Sequence, residues 1–160
     1  MMKSLRFVFA AAAVLPLASC VSPFYEVPAG TAATATVINT SHAHDSFKAS
    51  VFKVDTINGR TSLATPMLTP RGGGPVVTTG DSEVQVPANQ PITVKLSAAD
   101  QFAADGTALM YSLGGNVSKT ATETLTFTPK ARAVYVVKGQ LGKESSSVWL
   151  EDRATGRRVR

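Results

Sequence analysis

At 160 residues, with 44% hydrophobic and 17% charged side chains, the chain is long enough to bury a core without disulfides or a structural metal, and wholesale disorder is excluded. Its single cysteine excludes an internal disulfide, so that thiol is free, intermolecular or modified. The net charge of +5 is uneven: Cys20 to Ser118 holds five basic and seven acidic residues, Lys119 to Arg160 nine and four. A solvated basic region beside an anionic membrane accounts for that skew. Nucleic acid is not expected as a partner, because no zinc spacing, aromatic interleaving or other recognition motif accompanies the charge.

The chain begins with a short basic stretch, Met1 to Arg6, followed by an apolar run from Phe7 to Leu15. That is the layout of a secretory signal, and the run is shorter than the roughly 20 apolar residues a spanning helix needs. Pro16 ends the apolar run. Leu17-Ala18-Ser19-Cys20 follows, and the only cysteine closes it. These four residues, with the signal ahead of them, resemble the bacterial lipobox: aliphatic, small, small, then cysteine. The resemblance implies that the Cys20 thiol is alkylated by a diacylglycerol and that the peptide is cut just before it. The new amine would then be acylated. Two or three chains on one residue make an attachment that a single acyl chain, which binds reversibly, does not. Val21 stands where lipoproteins retained in the inner membrane commonly carry Asp, so the same resemblance implies an outer-membrane destination facing the periplasm. Residues 1–19 are thus expected to be a lipoprotein signal peptide and residues 20–30 a lipidated tether, stiffened by Pro23 and Pro28.

Residues 31–160 read as the folded domain. Thr34 to Asn39 alternates as a first strand, and Phe47 to Asp55 as a second. Asn58-Gly59 is a type I′ hairpin signal, since both residues tolerate positive φ, with Arg60 to Ala64 pairing back. Pro70 to Pro75, with its three glycines, is a loop; it lacks the Lys and Ser/Thr of a phosphate-binding loop, and Pro75 leads into Val-Val-Thr-Thr rather than a helix. Ser82 to Val86 and Ile92 to Ser97 alternate apolar with polar, as strands with one wet face do. A short helix capped by Ser97 is expected up to Ala104. Thr120 to Thr128 sets Leu125 and Phe127 on one face and threonines on the other, and Pro129 stops it. Ala133 to Val137 is a continuous apolar run, expected of a strand covered on both sides. Ser147 to Glu151 follows, with Trp149 expected in or at the edge of the core. The sum is all-β: a single antiparallel β-sandwich of seven to nine strands, with a barrel as second choice. The layout resembles small envelope lipoproteins carrying an immunoglobulin-like or transthyretin-like sandwich.

The chemistry on offer is sparse. His42 and His44, two apart, would share a face of a strand and start a metal site, but three or four ligands are needed. Asp45 would fall on the opposite face, so a solvated loop is the favoured reading and no metal or cofactor is expected. No Gly-x-Ser-x-Gly elbow accompanies these histidines, and the acidic residues are not set among aromatics as in a sugar cleft. An enzyme is not expected, and no catalytic residue is assigned. The expected function is a non-catalytic interaction or structural module, held to membrane lipid through acylated Cys20 and bound to another envelope protein by a sheet edge or loops. The alternatives are a lipoprotein that binds glycan or peptidoglycan through Phe24, Tyr25, Phe102, Tyr111 and Trp149, and, behind that, an envelope enzyme.

Overall fold

The fold is described from a computed structural model, which describes residues 22–66, 68–70, 77–102, 112–113 and 118–160. Cys20 and the signal segment lie outside these residues, as do Arg71 to Val76 of the glycine-rich loop and Tyr111. Among the described residues every named element is a strand: β1 (Thr34–Ala43), β2 (Lys48–Ile57), β3 (Arg60–Thr61), β4 (Leu68–Pro70), β5 (Val77–Thr79), β6 (Ser82–Pro87), β7 (Ile92–Phe102), β8 (Thr120–Phe127), β9 (Val134–Leu141), β10 (Ser146–Asp152) and β11 (Arg157–Arg158). Nine of them form one sheet in the order β11-β10-β9-β1-β2-β7-β8, with β3 on β2 and β6 on β1; β4 and β5 form a separate pair, of which β5 lies against β1 and β2.

The expectation of an all-β chain is met, but the sheet is mixed rather than purely antiparallel. β1 and β9 run parallel, pairing Thr36 with Val134 and Ile38 with Val136. The strands form one curled sheet, a half-barrel. The physical reason lies in β1, which changes partners along its length. From Thr34 to Asn39 it pairs with β6, and from Thr40 to Ala43 with β2. A strand shared in this way joins both wings into one sheet and curls them toward each other, and β7 and β8 make contact with β9 and β10. Between the wings lies one core of alternate side chains, including Val37, Val54, Leu96, Val137 and Leu150, each fully buried. Full burial of such a side chain contributes about 1.5–3 kcal/mol.

The helix expected from Ser97 does not form over the described residues: β7 runs on to Phe102. Ile92, Val94, Leu96, Ala98 and Asp100 face inward in unbroken period-2 order, and both edges of this stretch are taken, by β2 and by β8. Two ladders outweigh the helix propensity of two alanines. The Asn58-Gly59 turn is found as expected, with φ of 49° and 78°, and it sets Ile57 opposite Arg60. Trp149 is not in the core. Its neighbours Val148 and Leu150 are, and the indole lies on the outer face.

All these pairings align the strand ends into two ends of the molecule, roughly 25 Å apart along an eight-residue strand such as β9. β1, β7 and β9 start at one end, where β2, β6, β8 and β10 finish; this is the entry end. The opposite end carries the β1–β2 hairpin with both histidines.

Candidate functional site

At the histidine end, the inward row of β7 finishes on a carboxylate. The Asp100 side chain is 1% exposed, a costly place for a charge unless it is paired and hydrogen-bonded. Lys48 Nζ meets Asp100 Oδ2 at 2.9 Å, the Ser50 hydroxyl donates to Oδ1 at 3.0 Å, and the Lys119 backbone N–H donates to Oδ2 at 3.4 Å. His44 Nε2 lies 2.7 Å from Ser50 Oγ. The serine has one proton and gives it to the carboxylate, which only accepts, so Nε2 carries the proton in the second bond. The chain of donation runs His44 to Ser50 to Asp100.

That direction decides the chemistry. A nucleophilic serine must give its proton to the imidazole, with the carboxylate behind the histidine; here the serine proton points at the carboxylate, and Ser50 is 2% exposed. The cluster contains the residue types of a hydrolytic triad, but with the serine, not the histidine, next to the carboxylate. It is a polar plug that closes the core beneath the β1–β2 hairpin.

The paired histidines stand with their rings edge to face, 5.4 Å apart, and His42 lies within β1 rather than in the solvated loop expected there. Asp45 does not complete a metal site. Its Oδ1 accepts the backbone N–H groups of Phe47 and Lys48 at 2.7 and 2.9 Å, which shapes the hairpin turn. Among the described residues no group of three or more His, Cys, Asp or Glu side chains is placed to hold a metal. A depression of about 290 Å³ beside the histidines is walled by Phe52 and Gly139.

The entry end differs in charge. Residues Pro23 to Tyr25 run alongside β3: Thr61 N–H donates to the Pro23 carbonyl at 2.9 Å and Tyr25 N–H to the Thr61 carbonyl at 2.7 Å. Backbone bonds then join the turns at this end, Ala88 to Ala33, Asn89 to Pro129, Arg132 to Thr34 and Arg153 to Val134. Lys130, Arg132 and Arg153 are exposed and border a depression of about 600 Å³ between the β8–β9 and β10–β11 turns. Burial raises the Tyr25 phenol above its ordinary 10.0, and its hydroxyl has no hydrogen-bond partner among the described residues.

On the outer face of β9, β10 and β11, the Arg158 guanidinium stacks 3.7 Å from the centre of the Trp149 ring, and Lys138 Nζ donates to Glu151 Oε1 at 2.6 Å. That bond, with the lysine charge, holds the Glu151 carboxyl below its ordinary 4.5. The aromatics suggested for a glycan groove are not gathered: Phe24 and Tyr25 flank β3, Trp149 is capped by Arg158, and Phe102 ends β7 at the opposite end.

Sequence reasoning missed Asn39, the least conspicuous polar residue of β1. It is 0% exposed; its amide donates to the Ala64 carbonyl at 2.8 Å and to Ser82 Oγ at 3.2 Å, and its Oδ1 accepts Val54 N–H at 2.9 Å. An asparagine in phase with Ala35 and Val37 was the available signal.

No protein-family model, no curated protein and no solved structure matches this chain. Among the described residues no helix is long and apolar enough to cross a membrane.

Proposed function

We propose that the chain is a lipoprotein of the bacterial outer membrane, anchored through acylated Cys20 and facing the periplasm, where its β-domain serves as a non-catalytic interaction module for another envelope protein. The observation that carries this reading is Leu17-Ala18-Ser19-Cys20, placed directly after a signal-like basic and apolar stretch and holding the only cysteine. The scaffold is read as an immunoglobulin-like or transthyretin-like sandwich, a reading supported by β1 exchanging partners and by one core between the wings. The non-catalytic reading is supported by the proton order of His44, Ser50 and Asp100. The β8 edge, a row of exposed threonines, is the surface offered to a partner strand.

The test is membrane fractionation of cells making the wild-type chain or Cys20→Ala. The wild type is expected with the outer membrane and released only by detergent, and the variant is expected to lose the acyl label and leave that fraction. Equal behaviour of the two chains would overturn the anchor.

A further inference from the structure

The entry end gathers positive charge that the anchoring reading does not use. Arg60, Lys130, Arg132, Arg153 and Arg157 are exposed there, and none of them is in an ion pair among the described residues. The acidic groups facing them are few. Asp152 lines the same depression as Lys130, Arg132 and Arg153, which outnumber it three to one, and its Oδ1 accepts the Ala154 and Thr155 backbone N–H groups at 2.9 and 3.2 Å. Asp55 is paired with Lys53 at 3.2 Å, and Glu26 remains on the tether. The chain itself says what lies opposite. Pro23 is fixed to Thr61, and it lies three residue steps from Cys20, a reach of at most about 10 Å. An acylated Cys20 therefore holds this end within about one Debye length of the bilayer surface, and exposed Phe24 (44%) and Leu63 (68%) flank the same attachment.

We propose that the entry end is a docking surface for anionic phospholipid headgroups, with Lys130, Arg132 and Arg153 holding headgroup phosphate in the depression between the β8–β9 and β10–β11 turns. The inference rests on the anchoring reading for its source of ligand. Docking sets the strands steeply to the membrane, so that the histidine end, with the β1–β2 and β9–β10 hairpins, points away from it. Each basic residue at such a surface strengthens attachment by about fivefold.

The test uses the full chain in vesicles with a dansyl-labelled headgroup, read by energy transfer from Trp149, the only tryptophan. Transfer is expected to be higher in vesicles containing phosphatidylglycerol than in pure phosphatidylcholine, and to fall to the neutral level as salt rises. The triple variant Lys130→Gln, Arg132→Asn, Arg153→Gln should weaken docking by on the order of 100-fold and remove the excess transfer. Asn is chosen at Arg132 because φ there is 63°, and an unchanged thermal melt reports that the variant folds. Lys143→Gln, at the other end, should change nothing. Equal transfer in the two lipids, or a triple variant like wild type, would overturn the proposal, as would a variant that loses affinity for duplex DNA alone. Flotation with the vesicles reads the anchor separately: a chain that fails to float refutes the anchor, and the lipid and salt dependence of transfer still decides the docking.

Discussion

Asn39 shows how much a single polar side chain can settle. At its position β1 leaves β6 and takes up β2, and a strand that changes neighbours leaves backbone groups without ladder partners. The Asn39 amide supplies them for Val54 N–H and the Ala64 carbonyl. Each buried group left unpaired costs about 1–3 kcal/mol, so Asn39→Ala is expected to destabilise the protein by about 2–4 kcal/mol, read from the urea midpoint at unchanged slope. Asn39→Asp keeps the acceptor for Val54, loses both donors and buries a charge, and should be no better. Tyr25 makes the opposite case. Its hydroxyl has no partner, so Tyr25→Phe should raise stability at neutral pH by up to about 1 kcal/mol. Its folded-state ionisation is raised, so above pH 10.0 the unfolded chain gives up a proton that the folded chain keeps. Stability is then full below that pH and falls as pH rises toward the folded value. Tyr25→Phe should flatten that alkaline decline in thermal melts.

At the scale of strands and turns, the readable parts were those where the local pattern and the tertiary structure agree. Asn58-Gly59 specifies its turn through its own backbone, and Leu125 with Phe127 marks one face of β8 without help from neighbours. The extension of β7 past Ser97 was legible only in part. Ala98 and Asp100 continue the alternation, yet Ser-Ala-Ala-Asp carries equal helix signals, and the decision comes from β2 and β8 on its flanks. The parallel β1–β9 pairing left no trace in local sequence, since it joins segments almost a hundred residues apart. Trp149 was misplaced because a large ring suggests a core, whereas the alternation around it, with Val148 and Leu150, already pointed the other way.

Gly139 belongs to this scale as well. A Cβ there would stand 2.6 Å from Phe52 Cδ1 and 2.7 Å from the Ser147 carbonyl oxygen, so β9 and β10 come together only because that position is bare. Gly139→Ala should cost about 1–3 kcal/mol, and Phe52→Leu in the same chain should recover only part, because the carbonyl contact remains. Lys48→Met tests the plug at the end of β7. It strips the ammonium from a buried carboxylate while Ser50 and Lys119 N–H stay, and is expected to cost about 2 kcal/mol in denaturant unfolding. That is below the full penalty of a broken buried pair because Lys48 is itself partly wet.

For the molecule as a whole, the two ends divide the work that the sequence concentrated in its tail. The basic excess of the last quarter is not a loose extension. β10 and β11 fold it back so that Arg153 stands beside Lys130 and Arg132, while Arg158 covers Trp149 on the outer face. The tether meets the same end of the sheet through the Thr61 bonds to Pro23 and Tyr25, so the proposed anchor and the basic cluster share one end of the molecule. At the other end the His44–Ser50–Asp100 chain closes the core with a buried, hydrogen-bonded carboxylate.

All of this depends on what becomes of Cys20, and one measurement addresses it directly: the mass of the N-terminal peptide of the protein isolated from cells with its own signal. The account predicts a chain that begins at Cys20, carrying a diacylglyceryl thioether and an acylated amine. A mature chain that begins at Met1, or one that keeps Cys20 as an unsubstituted thiol, would contradict it.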